Sequence, residues 1–280
     1  MAIFKEKKYL RVDVDKKPDE SLWMKCKSCG ELVFKQRLRE NNYICPNCGD
    51  YFFLTAQERI ESLVDEGSFV DISKPIVADD PLRFVDSRPY PERIEAGQER
   101  TGLNDAIIVG RATINNLPIV IAVMDFRFVG GSMGSVMGEQ ICTGIEAAIE
   151  DGCPFVLVSS SGGARLQEGV FSLLQMAKTV TARGRLAEEG IPFISVMTYP
   201  TSGGVQASIA SLGDVIIAER GAMIGFAGRR VIKDTIAQEL PEHFQTDLFA
   251  LEHGQIDRVV KREELRDELA GLLSFFVEAR

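Results

Sequence analysis

The chain has 280 residues, 45% hydrophobic and 26% charged, which excludes a disordered, collagenous or low-complexity protein and suggests one large domain or two unequal ones. A chain of this length buries about 70–75% of its unfolded surface and needs no disulfide scaffold. Thirty-two basic against 41 acidic residues give a net charge of −9, which disfavours non-specific nucleic-acid binding.

The charge is uneven. Residues 1–50 hold 11 Lys/Arg and 8 Asp/Glu, whereas residues 51–280 hold 21 and 33, so a mildly basic head precedes an acidic body. The opening Met1-Ala2-Ile3-Phe4-Lys5-Glu6-Lys7-Lys8 has no apolar run behind its charges. No apolar stretch of about 18 residues follows, so neither a secretory leader nor a membrane helix is expected and the chain reads as cytoplasmic. Residues 1–22 read as a flexible segment, 23–54 as a small metal-binding unit and 55–280 as the main domain.

In the small unit, Cys26-Lys27-Ser28-Cys29 and Cys45-Pro46-Asn47-Cys48 have zinc-ribbon spacing, and each pair ends in glycine, Gly30 and Gly49. A knuckle that aims two thiolates at one ion often needs positive φ, which glycine adopts without steric cost. Four thiolates saturate a tetrahedral Zn2+ and leave no place for water, so the metal is expected to be structural. Two disulfides or a redox pair are the rival readings; a cytosolic chain disfavours the first and two matched pairs the second. Cys142 and Cys153 follow apolar patterns and read as buried bystanders. Lys25, Lys27, Lys35, Arg37 and Arg39 beside Trp23 could meet nucleic acid, but a short basic hairpin is more often a solvated face.

The body opens with a threonine-capped helix from Thr55 to Val64, and residues 71–105, rich in Asp, Pro and Arg, read as irregular chain. Ala106–Ile114 and Leu117–Met124 flank Asn115-Asn116 as a hairpin. Helix Gly138–Asp151, strand Phe155–Ser159, helix Gln167–Glu188, strand Ile191–Met197, a helical stretch to Ser211 and strand Val215–Ala218 follow. A glycine-rich turn, a helical pair, strand Ile256–Val260 and a terminal helix complete an α/β layered domain.

Three glycine loops sit between strands and helices: Gly130-Gly131-Ser132-Met133-Gly134, Ser161-Gly162-Gly163-Ala164 and Ser202-Gly203-Gly204-Val205. Paired glycines expose backbone N–H groups to a phosphate or to an oxyanion that develops during acyl chemistry. Close packing explains one such loop; three together point to the rim of an active site. No P-loop and no dinucleotide fingerprint occurs. Gly130-Gly131-Ser132-Met133-Gly134 matches a hydrolase elbow, but Asp125–Val129 separates the serine from its strand, and His243 and His253 read as helix decoration.

Taken in order, the four cysteines, Met124-Asp125-Phe126-Arg127-Phe128-Val129-Gly130-Gly131-Ser132-Met133-Gly134, Ser161-Gly162-Gly163-Ala164-Arg165-Leu166-Gln167-Glu168, Thr201-Ser202-Gly203-Gly204-Val205 and Ile224-Gly225-Phe226-Ala227-Gly228 resemble bacterial acetyl-CoA carboxylase carboxyltransferase β subunits. The resemblance spans about residues 22–270 and departs from the common pattern at Tyr51 and Tyr199. It implies a crotonase-like ββα superhelix with an N-terminal C4 zinc ribbon. The implied reaction moves a carboxyl group from carboxybiotin on a carrier protein to acetyl-CoA, forming malonyl-CoA for fatty-acid synthesis. The implied partners are a carboxyltransferase α subunit, the biotin carboxyl carrier protein and biotin carboxylase. By the same analogy Gly203 and Gly204 hold the thioester oxygen, and Gly162, Gly163 and Ala164 form a supporting wall or donor. Arg165, Arg229, Arg230 and Lys233 are the candidate contacts to CoA phosphates. The competing readings are a related biotin-dependent carboxyltransferase or decarboxylase subunit acting on another thioester, and a zinc-ribbon nucleic-acid-binding protein.

Overall fold

The computed structural model describes residues 22–228, 232, 235, 240–241 and 243–278. The segment expected to be flexible, 1–22, therefore lies outside the described residues apart from Leu22. Two compact units divide the chain, Met1–Phe53 and Leu54–Arg280. Among the described residues no helix is long and apolar enough to cross a membrane.

The first unit pairs β1 (Trp23–Lys25) antiparallel with β2 (Leu32–Phe34) and continues into α1 (Lys35–Glu40). Its core is small: Cys26, Val33, Leu38, Cys45 and Phe52 are buried together.

The second unit is one mixed sheet covered on both faces. Its first strands are β3 (Val70–Asp71), β4 (Ile107–Ile114), β5 (Leu117–Met124) and β6 (Phe155–Ser161). After these come β7 (Phe193–Ser202), β8 (Val215–Glu219), β9 (Ile224–Gly225) and β10 (Arg258–Val260). The sheet order is β10-β8-β7-β6-β5-β4-β3, with β9 added to the far end of β7. β3, β4 and β5 pair antiparallel, and the pairs from β5 to β10 are parallel. The expected hairpin at Asn115-Asn116 is present, both residues adopting the positive φ that a tight two-residue turn needs.

The central strands read as continuous apolar runs because neighbouring side chains enter different cores. Val120, Ala122, Phe155, Leu157, Phe193 and Met197 face one core, and Ile119, Ile121, Val156, Val158, Ile194 and Val196 the other. The first core is shared by α3 (Tyr90–Thr101), α4 (Ser135–Asp151) and α5 (Val170–Glu188); the second by α2 (Ala56–Leu63) and the terminal helix. Two short helices, α6 (Gly203–Gln206) and α7 (Asp247–Glu252), and the terminal α8 (Leu265–Glu278) complete the unit.

Helix α2 starts as expected. Thr55 Oγ1 accepts from Glu58 N at 3.1 Å, Thr55 N donates to Glu58 Oε2 at 2.9 Å, and buried Asp125 takes the Ala56 N–H at 3.0 Å. Helix α3 corrects the expectation of irregular chain over 71–105. Pro89 is its N-cap and Pro91 sits in its first turn, where a missing N–H costs nothing, and Gly102 closes it in the left-handed region. β7 runs past Met197 to Ser202, so the third glycine loop follows the strand directly.

A buried ion cluster joins the second core. Glu219 on β8 meets Arg59 of α2 at 2.7 Å and Arg262, just before α8, at 2.9 Å. Burial alone would raise the Glu219 pKa, but the two guanidiniums outweigh it and bring the carboxyl down to about 2. A folded value below the unfolded one means that the stabilisation is complete above the unfolded pKa and is lost as pH falls towards 2. Glu219→Gln, which removes the charge that two buried arginines share, is expected to cost about 3–5 kcal/mol at neutral pH. It should also flatten the stability profile between roughly pH 4.5 and 2. Urea denaturation across that range checks both, and a variant as stable as the parent would refute the cluster's role.

Candidate active site and metal centre

The loops that follow β6 and β7 leave the same end of a parallel pair, the end where open α/β sheets bind ligands. They touch through their backbones. A Cβ on Gly163 would lie 3.0 Å from Gly203 Cα and 3.1 Å from Gly204 N. One on Gly203 would lie 2.9 Å from Gly163 Cα. Both glycines also have positive φ, +114° and +59°, so side chains are excluded twice over. The first glycine loop joins this contact: Gly162 N donates to Gly130 O at 2.9 Å, Met133 N to Gly163 O at 2.8 Å and Arg165 N to Met133 O at 2.9 Å. All three loops singled out in the sequence therefore meet.

These bonds sort the amides. The Gly162 N–H goes to Gly130 O, and the Gly163 N–H goes to Ser161 Oγ at 3.0 Å. Both belong to the wall rather than to a ligand. Among the described residues the Ala164 N–H meets no acceptor. Gly204 is the second residue of α6, so helix geometry gives its N–H no intrahelical acceptor. Ser202, the N-cap, turns its hydroxyl to Ser161 O at 3.2 Å and leaves α6 without a side-chain cap. A Cβ on Gly204 would be 3.4 Å from Ala164 N, so the two amides are near neighbours.

Arg165 is a correction. Expected at a CoA phosphate, it is fully buried. Its Nε donates to Ser132 Oγ at 3.1 Å, Nη1 to Tyr90 Oη at 3.2 Å and Asp105 Oδ2 at 2.6 Å, and Nη2 to Asp105 Oδ1 at 2.8 Å and Ser132 O at 2.7 Å. A guanidinium has five donors, and none is left for a phosphate. Burial works against its charge, but Asp105 and Tyr90 hold it protonated above the ordinary arginine value. Burial pushes the Tyr90 phenol up as well, so it stays neutral and donates to Glu168 Oε1 at 2.6 Å. Glu168 Oε2 then accepts the Ser135 N–H at 2.6 Å and caps α4 from a distance. Sequence reasoning missed Tyr90, Asp105 and Ser132, because nothing local signals pairings that span 33 to 75 residues. Arg229, Arg230 and Lys233 lie outside the described residues.

In the first unit the sulfurs of Cys26, Cys29, Cys45 and Cys48 all lie within 4.8 Å of one another. Cys26–Cys48 and Cys29–Cys45 are separated by 3.6 and 3.8 Å. Tetrahedral Zn2+ at about 2.3 Å from each sulfur spaces them about 3.8 Å apart, so the set fits this ion. The two knuckles repeat one design. Gly30 N donates to Cys26 O and Gly49 N to Cys45 O, at 3.0 and 2.9 Å, with φ of 78° and 76° at the glycines. With all four positions filled by thiolate, the ion is a brace and not a Lewis acid for substrate. Such sites contribute on the order of 10 kcal/mol, so Cys45→Ser is expected to release the metal and unfold this unit. Elemental analysis with proteolysis of residues 22–53 checks it, and a metal-free parent protein with that unit intact would refute it.

Comparison with known proteins agrees with this geometry. A family model for the carboxyl transferase domain matches residues 53–270, and one for the acetyl-CoA carboxylase zinc finger domain matches residues 23–48. An acetyl-coenzyme A carboxylase carboxyl transferase subunit beta of Thermus thermophilus is 51% identical, over 90% of this chain and 88% of that protein. Its counterpart from Desulforamulus reducens is 47% identical over 98% of each chain. Among solved structures, transcarboxylase 12S with methylmalonyl-coenzyme A superposes with a TM-score of 0.67 at 27% identity. That match covers 86% of this chain but only 44% of the 12S chain. A Pseudomonas malonate decarboxylase MdcD-MdcE heterodimer chain gives a TM-score of 0.61 at 25% identity, over 80% of this chain and 86% of that one. The main unit thus shares the crotonase-like architecture of these solved structures, and the chain belongs to the family of acetyl-CoA carboxylase carboxyl transferase β subunits.

Proposed function

We propose that this chain binds acetyl-CoA and stabilises its enolate while a carboxyl group passes from carboxybiotin on a carrier protein to the methyl carbon, forming malonyl-CoA. The observation that carries the reading is the pair of neighbouring, unspent amides of Ala164 and Gly204 at the ends of β6 and β7. As the methyl proton leaves, charge gathers on the thioester oxygen. Two N–H donors held at that oxygen act in the transition state more than in the ground state. Residues 162–164 and 202–205 are Gly, Ala, Ser and Val, so these loops supply charge stabilisation rather than a proton acceptor. Gly162, Gly163 and Gly203 serve by leaving room for that approach. Arg229, Arg230 and Lys233 are the proposed contacts to the CoA phosphates.

The proposed partners are a carboxyltransferase α subunit, the biotin carboxyl carrier protein and biotin carboxylase. Two observations support a partner subunit. Helix α5 exposes Val170, Leu173 and Leu174, and Leu166 just before it is 80% exposed, an apolar stripe typical of an interface. One copy of this chain also matches less than half of the 12S chain. The reading places the chain in the cytoplasm, where the thiols of the ribbon stay reduced.

Gly204 offers a test, because its backbone is not left-handed and the nearest atoms a Cβ would meet are Met176 Sδ at 3.1 Å, the Ala164 methyl at 3.3 Å and Ala164 N at 3.4 Å, so alanine serves as the control for crowding. Gly204→Ala keeps the N–H; Gly204→Pro removes it at a position in the first helical turn that tolerates proline. In the assembled complex, proline is expected to lower kcat by about 10²–10³-fold with alanine far less affected. Malonyl-CoA formation measures this, and a folded proline variant within a few-fold of the parent would remove Gly204 from the mechanism. The chain alone is expected to be nearly inactive. Addition of the α subunit should restore transfer, and full activity without it would contradict the proposed partnership.

A further inference from the structure

We propose that Arg165 is a positioning residue for carboxyl transfer, its buried guanidinium fixing the direction in which the Ala164 N–H points; this rests on the reading of Ala164 and Gly204 as donors to the thioester oxygen.

Among the described residues from Gly162 to Arg165, Ala164 alone has an N–H with no acceptor, and it is held from both sides. Before it, Gly163 O accepts from Met133 N at 2.8 Å; after it, Arg165 N donates to Met133 O at 2.9 Å. The Arg165 side chain then reaches the same neighbouring loop through Ser132 O and Ser132 Oγ. It is gripped from the other side by Asp105 and Tyr90. Its guanidinium also lies 5.6 Å from the Phe128 ring centroid. Tyr90 extends the grip, since its hydroxyl bonds Glu168, whose other oxygen holds the first N–H of α4. The starts of α3 and α4 and two glycine loops therefore share one polar centre directly behind Ala164.

Stability alone does not explain such a centre. Burying a charge is expensive, and apolar side chains of similar volume often hold a core as well or better. Apolar packing does not specify direction. Five hydrogen bonds from one planar group do, and a donor moved by about 1 Å from its target loses on the order of 10²-fold in rate. The cluster thus serves the amide rather than the substrate. No donor of Arg165 is free to touch a ligand.

The test uses the assembled complex and two conservative substitutions. Arg165→Lys keeps a cation beside Asp105 but cannot satisfy the planar set of acceptors, and Tyr90→Phe deletes one hydroxyl from an otherwise unchanged ring. Malonyl-CoA formation, thermal melting and zinc content are measured for each. The expected result is a kcat lower by about 10²-fold for Arg165→Lys and about 10-fold for Tyr90→Phe, with KM for acetyl-CoA within about twofold. In the Gly204→Pro background, Arg165→Lys should cost much less than it does alone, because a hole with one donor removed depends less on the aim of the other. Folded variants of normal kcat, or variants altered only in KM, would overturn the proposal. If Arg165→Lys does not fold, Tyr90→Phe decides by the same criteria. A slow Gly204→Pro beside normal Arg165→Lys and Tyr90→Phe would sink the positioning role alone. A normal Gly204→Pro would sink the amide reading and this inference with it.

Discussion

The loops after β6 and β7 press together at Gly163 and Gly203 with no space for a Cβ on either, and the rest of the main unit is arranged to permit that contact. Adjacent parallel strands must deliver both loops at the same edge, and the register from Phe155↔Phe193 to Ser161↔Thr201 does so, with an irregularity between Ser159 and Ser161. Two cores hold the sheet rigid from both faces, so the contact is made by backbone that cannot drift. Where backbones approach so closely the chemistry left is that of N–H groups. This is consistent with the proposed site of glycine, alanine and serine in a chain with only two histidines.

Among the described residues of the main unit, two clusters bury an arginine with its carboxylate partner, and they differ in what they join. Glu219 with Arg59 and Arg262 ties β8 to α2 and to the segment before α8, on the face away from α4 and α5. Arg165 with Asp105, Tyr90, Ser132 and Glu168 sits behind the glycine loops. In each, desolvation opposes the charges and close opposite partners overcome it. The first cluster reads as a fastening of the fold. The second is spent on loop segments and on the starts of α3 and α4, which links packing to the geometry of the amides.

The zinc-binding unit follows different physics. Its core contains Val33, Leu38 and Phe52 beside two of its own metal ligands, Cys26 and Cys45. So few apolar residues cannot offset the entropy of ordering some thirty residues, and a metal supplies what the core lacks. The knuckle bonds at Gly30 and Gly49 prearrange the thiolates in pairs, so that the ion closes a site already half built.

Much of this was legible in the sequence because the signals are local. Cysteine spacing carried the metal site, the Thr55–Glu58 pattern the start of α2, Asn115-Asn116 the hairpin, and apolar runs most strands. Paired glycines marked the three loops that meet. Helix α3 was hidden because its prolines, Pro89 and Pro91, look like chain breakers until their place in the first turn is known. Arg165, a candidate contact to CoA phosphates, was misread for a related reason: only the folded chain brings Asp105 and Tyr90 to it across 60 and 75 residues. Spacing and periodicity by themselves determined the metal ligands and the location of the loops, and the ordered motifs carried the resemblance to the family. Which amides are spent, which remain free and which charge is buried behind them was decided by tertiary structure alone, because hydrogen-bond partners distant in sequence leave no local pattern.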